Sequence, residues 1–161
     1  MVDPDIRLGP DWANEPPPDL KPVADAIEAA LKPQRKKVSY IGVPAVFKLE
    51  LALKHLNDAY DGFGCYVVGS SLERPDWRDV DVVLILSDEA FQREFPNADH
   101  RTGAFELDTK WLLNSVAISG WLKEQTGLPI DFKIQPQTWA NERHNGRRDA
   151  RGLRLSRGGD E

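Results

Sequence analysis

Residues 66–86 read YVVGSSLERPDWRDVDVVLIL, and this stretch decides the fold. It begins with an apolar run that ends at Gly69, and it closes with a second apolar run over residues 79–86. Short runs of β-branched and other apolar residues bounded by turn residues are typical of buried strands. Both faces of the second run become apolar towards its end, which predicts a central strand whose polar start carries Asp79 and Asp81.

The segments around these two strands have the periodicities expected of a layered domain. Residues 44–60 and 109–126 repeat apolar side chains at helical spacing, which predicts two amphipathic helices. Residues 130–135, IDFKIQ, alternate between apolar and polar, which predicts a third strand. We therefore expect an α/β (α+β) domain with a small mixed β-sheet flanked by helices, formed by residues 38–136.

The two ends of the chain differ in composition from this core. Residues 1–37 contain a proline-rich arm, with three consecutive prolines at 16–18, followed by a short helix at 22–32. Residues 137–161 are rich in arginine and glycine, which predicts a basic tail. Such a tail is either solvated or ordered by contact with phosphate, and the sequence leaves both alternatives open.

Composition excludes several classes of protein. The 161 residues suffice for one domain, and 21 basic against 26 acidic residues exclude a chain-wide basic surface for nucleic acid. The mean hydropathy is −0.50, and no apolar run approaches the roughly 20 residues that span a bilayer. Cys65 is the single cysteine, which excludes an intramolecular disulfide. The first residues, MVDPDIRLGP, lack the apolar segment of a secretory signal, so we expect a cytoplasmic protein with no membrane association.

The acidic residues at the start of the central strand form the first candidate site. Asp79 and Asp81 are two positions apart, so their carboxylates project from the same face and repel each other unless a cation lies between them. Two carboxylates sharing a hard divalent ion are a common way to hold Mg²⁺ against nucleotide phosphates. Asp131, on the polar face of the third predicted strand, is the candidate third ligand. Lys133 lies on the same face and offers a salt bridge to Asp131 as the alternative.

The turn that precedes the acids is the second candidate site. Gly69 allows a phosphate to approach the backbone, and Ser70 adds a hydroxyl donor. Ser71 and Arg74 extend this set of candidate phosphate-binding residues. A simpler alternative is that Arg74 and Arg78 only balance the neighbouring acids as surface charges.

The stretch 66–86 resembles the core of the DNA polymerase β-like nucleotidyltransferases. The shared pattern is an apolar strand, Gly-Ser, a short helical connection, Asp-x-Asp opening an apolar strand, and a third acid on a later strand. Asp131 in LPIDFKIQ matches that third acid, so the resemblance covers roughly residues 44–136. It implies a nucleotidyltransferase-like fold.

The resemblance also implies roles for the candidate residues. Gly69 and Ser70 would hold the phosphates of a nucleoside triphosphate such as ATP. Asp79 and Asp81 would bind two Mg²⁺ ions, with Mn²⁺ as a substitute. Asp131 would be the third metal ligand and would assist the attacking hydroxyl.

The implied function is Mg²⁺-dependent transfer of a nucleoside monophosphate from the triphosphate to a hydroxyl of a small molecule, a protein or RNA. No motif identifies the acceptor, and the net charge does not support nucleic acid. The short chain is similar to the minimal antitoxin-type or aminoglycoside-modifying members, which adds a homodimer or a protein partner to the expectations. Two alternatives stay open: a non-catalytic nucleotide-binding or antitoxin-like partner-binding member of the same fold, and a different metal-dependent enzyme such as a sugar transferase.

Overall fold

The structure is a computed structural model that describes residues 19–31 and 39–152. The three prolines at 16–18 and the last nine residues lie outside these ranges. The chain divides into two units, Met1–Lys36 and Lys37–Glu161. No helix within the described ranges combines the length and the apolarity needed to cross a membrane.

The first unit contributes one described helix, α1, over Lys21–Leu31. It confirms the helix predicted in this part of the chain, shifted by one residue. Its first turn is capped by Asp19, whose Oδ1 accepts a hydrogen bond from the Lys21 amide at 3.0 Å. The apolar side chains of Val23, Ile27 and Leu31 are exposed.

The second unit contains the predicted core together with short elements that the periodic patterns above do not include. Its helices and strands, in chain order, are α2 (Ala45–Ala59), β1 (Gly64–Val68), β2 (Val80–Leu86), α3 (Asp88–Glu94), α4 (Thr109–Thr126), β3 (Ile130–Pro136), α5 (Gln137–Arg143) and β4 (Asp149–Arg151). Short 3-10 helices follow β1 and precede α4, at Ser70–Leu72 and Gly103–Leu107. The two long helices and three strands predicted from the sequence are present within about one residue of their predicted bounds.

The four strands form one mixed sheet in the order β3-β2-β1-β4. Strand β2 pairs antiparallel with β1 and parallel with β3, and β4 pairs antiparallel with β1. This confirms the expected α/β class with a small mixed sheet and helices around it. It also confirms that the second apolar run forms a central strand.

One face of the sheet forms the main core. Val80, Val82 and Leu84 of β2 are fully buried on this face, in one cluster with residues of α2 and α4 such as Leu53 and Leu122. Alternate residues of a strand point to opposite faces, so burial of the even-numbered side chains places Asp81 on the other face.

The second face of the sheet is covered only in part. Ala140 of α5 packs there against Val83 and Ile85 of β2 and against Val68 of β1. Asp81 precedes these residues along β2, at the end of the face that carries the acids. Helix α5 therefore covers the second face from Val68, the ladder partner of Asp81, onwards along β2.

Helix α4 closes the outer edge of β3. The indole Nε1 of Trp111 donates to the Ile134 carbonyl at 2.8 Å, and the Phe132 amide donates to Ser119 Oγ at 3.0 Å. These two backbone groups of an edge strand would otherwise have no strand partner. Side chains of α4 thus form the hydrogen bonds that a fifth strand would form with β3 in a larger sheet.

Residues 137–152 differ from the expected basic tail. They form α5 directly after β3, and then β4, whose Asp149 and Arg151 pair with Val67 and Cys65 of β1. The strand is three residues long, too short for a periodic pattern to reveal it. The last residues of the expected tail lie outside the described ranges.

Asn57 of α2 fixes β4 in this position. Its buried side chain accepts a hydrogen bond from the Cys65 amide at 2.8 Å, and it donates to the carbonyls of Arg151, at 2.9 Å, and Gly152. Gly152 has φ of +67°, and a Cβ there would collide with the backbone of α2 at Leu53. One amide side chain therefore joins α2, β1 and the end of β4.

We predict that Asn57→Ala lowers the free energy of unfolding by about 1–3 kcal/mol, because it leaves a buried amide and buried carbonyls without partners. Urea denaturation measures the change. Asn145→Ala is the control, since Asn145 is exposed between α5 and β4. Equal stability of the two variants would contradict the role of Asn57.

Candidate active site

The register between β2 and β3 brings two of the predicted acids together. Asp81 pairs directly with Asp131 in the parallel ladder. Neighbouring strands lie about 4.8 Å apart, and residues paired in a parallel ladder point to the same face. Asp79 lies one residue before β2, on the strand side that carries Asp81. The structure thus places all three predicted carboxylates at one end of the second face.

The electrostatics of Asp81 reflect this arrangement. The side chain is half-buried, and burial raises the pKa of Asp81 above its ordinary value. The negative charges of Asp79 and then of Asp131 raise this pKa further, while the positive charge of Lys133 lowers it. A carboxylate in this environment is stabilised by a cation that binds beside it.

The nearby basic side chains have other partners or lie apart. Lys133 Nζ is 3.9 Å from Glu106 Oε1, so the salt bridge from Lys133 to Asp131 that the sequence allowed is not formed. Within residues 19–31 and 39–152, no Lys or Arg lies within ion-pair distance of the three predicted carboxylates. The three carboxylates therefore lack a direct ion pair among the described residues, and Lys133 acts on Asp81 only from a distance.

The glycine turn lies against Asp81. Gly69 follows Val68, which pairs with Asp81 in the antiparallel ladder. Its φ of +77° and ψ of −156° fall in a region that only glycine adopts readily. A Cβ at this position would meet Oδ2 of Asp81 and displace the carboxylate, so glycine is required by the backbone and also leaves room for Asp81.

The other phosphate-binding candidates are placed differently. Ser70 is half-buried, and its carbonyl accepts hydrogen bonds from the Glu73 and Arg74 amides, both at 3.0 Å. Ser71 is fully buried, so its hydroxyl does not reach the surface. Arg74 is exposed and pairs with Asp76 at 3.5 Å. Gly69 therefore lies directly against Asp81, and Ser70 follows it in the chain with its side chain partly accessible.

The three carboxylates supply the oxygen donors that Mg²⁺ prefers. As the side chains stand, no three His, Cys, Asp or Glu groups of the described residues are close enough to hold one ion. Asp79 and Asp131 are exposed, whereas Asp81 is half-buried beside Gly69. A shared ion therefore requires the exposed carboxylates to rotate towards Asp81, which the surrounding solvent allows.

A groove borders the acids on the side of β3. Its volume is about 660 Å³, and it is formed by α4, the loop before β2 and the start of β3. We call it the α4–β3 groove; its lining includes Arg78, Asp79, Trp111, Leu112, Ser115, Val116, Gly120, Lys123 and Asp131. The sequence indicated the amphipathic helix but not the groove, because the groove depends on how α4 lies against the edge of β3.

A basic pocket lies on the second face beyond the acids. Arg143, His144 and Arg148 line a cavity of about 140 Å³ together with Val68 and Val83. The guanidinium of Arg148 donates to Asn141 Oδ1 at 2.9 Å, and that of Arg143 lies 4.1 Å from the centre of the Trp139 ring. Part of the predicted arginine-rich tail is therefore folded near the candidate site.

Comparison with known proteins adds no relative: no family model, curated protein or solved structure matches this chain.

We predict that Gly69→Ala lowers the free energy of unfolding by about 1–3 kcal/mol, because alanine is strained in this backbone conformation. Collision of the new methyl group with Asp81 adds to the loss. Chemical denaturation measures it. The control is Gly42→Ala, since a Cβ at Gly42 meets nothing within 4 Å. Equal stability of the two variants would show that the turn is not constrained as described.

The raised pKa of Asp81 predicts a pH-dependent penalty. The folded state binds the proton more tightly than the unfolded state, so stability decreases as the pH rises from the unfolded value towards the folded one. Asp81→Asn removes this penalty. We expect the variant to be more stable than the wild type at neutral pH, with a difference that vanishes at about pH 3, below the ordinary carboxyl pKa.

Urea denaturation at several pH values tests this expectation. Asp76→Asn is the control, because Asp76 is exposed and pairs with Arg74. A difference between Asp81→Asn and wild type that does not change with pH would contradict the electrostatic explanation.

Proposed function

We propose that this protein is a metal-dependent nucleotidyltransferase, which moves a nucleoside monophosphate from a nucleoside triphosphate to a hydroxyl group. One observation carries the proposal: the register of β2 and β3 pairs Asp81 with Asp131, directly beside the glycine turn that follows β1. Carboxylates next to a turn that only glycine can form are suited to binding a divalent ion together with phosphates.

Each residue has a role in this proposal. Gly69 leaves the backbone of the turn accessible to phosphate oxygens, and Ser70 adds its hydroxyl. Asp79, Asp81 and Asp131 would hold Mg²⁺, or Mn²⁺ in its place. Bound divalent ions neutralise charge on the transferred phosphate and on the leaving pyrophosphate.

The reaction balances without a further reactant. The acceptor oxygen forms a bond to the α-phosphorus, the bond between that phosphorus and the bridging oxygen breaks, and pyrophosphate leaves with the electron pair. The proton of the acceptor hydroxyl passes to a carboxylate oxygen of Asp131 and then to water. Asp131 is exposed, so an acceptor can approach it.

A non-catalytic nucleotide-binding or partner-binding protein of the same fold is the second candidate. It is favoured by the finding that the acids, as they stand, do not form a ready group of three ligands within the described residues. In both cases the proposal includes a cytoplasmic setting, where triphosphates and Mg²⁺ are abundant.

Nucleotide binding and turnover separate the two candidates. We predict Mg²⁺-dependent binding of a non-hydrolysable triphosphate by calorimetry, and slow release of pyrophosphate from triphosphates with water as the acceptor. Asp81→Asn and Asp131→Asn should each lower this release by at least about 100-fold, the usual scale for loss of a catalytic acid–base or metal-binding group. Asp76→Asn, an exposed acid outside the site, should retain it.

Three outcomes decide between the candidates. Binding that requires Mg²⁺ and Asp81, without turnover, supports the non-catalytic alternative. Release of pyrophosphate that is unchanged in both variants contradicts the proposed roles of the acids. Absence of triphosphate binding contradicts the nucleotidyltransferase proposal itself.

A further inference from the structure

We propose that the α4–β3 groove binds the acceptor, and that this acceptor is a small anionic molecule with an apolar body and a hydroxyl group. The inference rests on the proposed function, because the protein has an acceptor only if it transfers a nucleotide. The existence and chemistry of the binding site are argued from the groove itself and are tested without nucleotide.

The sheet order places the groove on the correct side of the acids. The turn at Gly69 lies on the β1 side of Asp81, whereas the groove lies on the opposite side, at Asp131 and beyond. In phosphoryl transfer the attacking and leaving oxygens lie roughly in line, on opposite sides of the phosphorus. A triphosphate at the turn would therefore receive an acceptor from the groove.

The size and wall of the groove fit a small ligand with an apolar body. Its volume of about 660 Å³ lies within the usual range for small-molecule sites, about 300–1,000 Å³. Leu112 and Val116 line it with 50% and 63% of their surface exposed, so a ligand would remove apolar surface from water. Gly120 leaves open space in the groove, since it has no side chain and nothing lies within 4 Å of where its Cβ would be.

A buried hydroxyl in the groove has no partner. Ser115 is 5% exposed, and its Oγ makes no hydrogen bond to any described residue. Ser119, one turn further along α4, instead accepts a hydrogen bond from Phe132. A buried polar group without a partner costs about 1–3 kcal/mol, so a polar atom of a ligand beside Ser115 would recover that cost.

The charges in the groove favour an anion in addition to the hydroxyl. Arg78 and Lys123 line the groove, and neither has a carboxylate of the described residues within ion-pair distance. These cations belong to a chain whose formal net charge is −5. We assign them to the negative group of the acceptor, while its hydroxyl lies towards Asp131. The lining also includes Lys133, which pairs with Glu106, and the carboxylates of Asp79 and Asp131. A polynucleotide fits less well, because it needs a long basic surface that this mixed lining does not provide.

The test uses two matched probes in the full-length protein without nucleotide or Mg²⁺. The first is 6-hydroxy-2-naphthoate, which has an apolar body, a hydroxyl and a negative charge. The second is 2-naphthol, which lacks the charge. Titration followed by calorimetry should show that the naphthoate binds at least about tenfold more tightly, a difference of about 1.4 kcal/mol.

Variants at Gly120 locate the binding site. Gly120→Phe fills the groove and should weaken naphthoate binding at least about tenfold. Gly120→Ala is the matched control and should keep the affinity, because the methyl group meets nothing. Lys123→Gln should weaken the binding of the naphthoate but not that of 2-naphthol. Triphosphate binding should be unchanged in Gly120→Phe, since the glycine turn lies on the other side of the acids.

Several results would overturn the inference. One is equal naphthoate affinity in Gly120→Phe and Gly120→Ala. Another is loss of triphosphate binding in Gly120→Phe, which would assign the groove to the nucleotide. A third is a wild-type dimer, seen by light scattering, that Gly120→Phe dissociates, which would assign the groove to a second copy of the chain. If the probes bind as expected but Asp81→Asn changes neither triphosphate binding nor turnover, the groove stands as a binding site and the transferase proposal fails.

Discussion

The candidate site depends on the register between β2 and β3. Val80, Val82 and Leu84 pair with Ile130, Phe132 and Ile134, and all six side chains are buried on the same face of the sheet. A slip of one residue would turn these side chains to the opposite face, so the apolar core selects a single register. That register also forces the like charges of Asp81 and Asp131 into neighbouring positions. Burial of apolar surface elsewhere in the domain offsets this local repulsion, so the domain stays folded although the two carboxylates repel each other.

The same core explains why the turn after β1 contains glycine. Pairing of Val68 with Asp81 directs the end of β1 at the carboxylate, and little space is left beside it. The backbone can leave the strand there only through a conformation that a side chain would strain. The pairing of Val68 with Asp81 therefore accounts for both features: it places the turn beside the acid, and the partial burial of that acid raises its pKa.

The layers of the domain and the shared face of the acids were predictable from the sequence. Strand β4 and the α4–β3 groove were not, for physical reasons. The apolar runs and helical periodicities predicted the layers, and the spacing of Asp79 and Asp81 predicted a shared face. Strand β4 escaped because three residues carry no period, and its position depends on hydrogen bonds from Asn57, 94 residues away in sequence from Arg151. The α4–β3 groove escaped because Trp111 and Ser115 share one helical stripe, and only the packing of that helix shows which of them reaches a cavity.

The closure of β3 by α4 has a consequence for association with other chains. Exposed strand edges are the places where proteins add strands from a neighbour, and the indole of Trp111 and the hydroxyl of Ser119 occupy two of the backbone groups that such a strand would need. An incoming strand would have to displace both side chains, and Trp111 is part of the core. The sheet is thereby protected from extension on the side where the groove opens, so the apolar lining of the groove stays accessible beside an edge that does not recruit further strands.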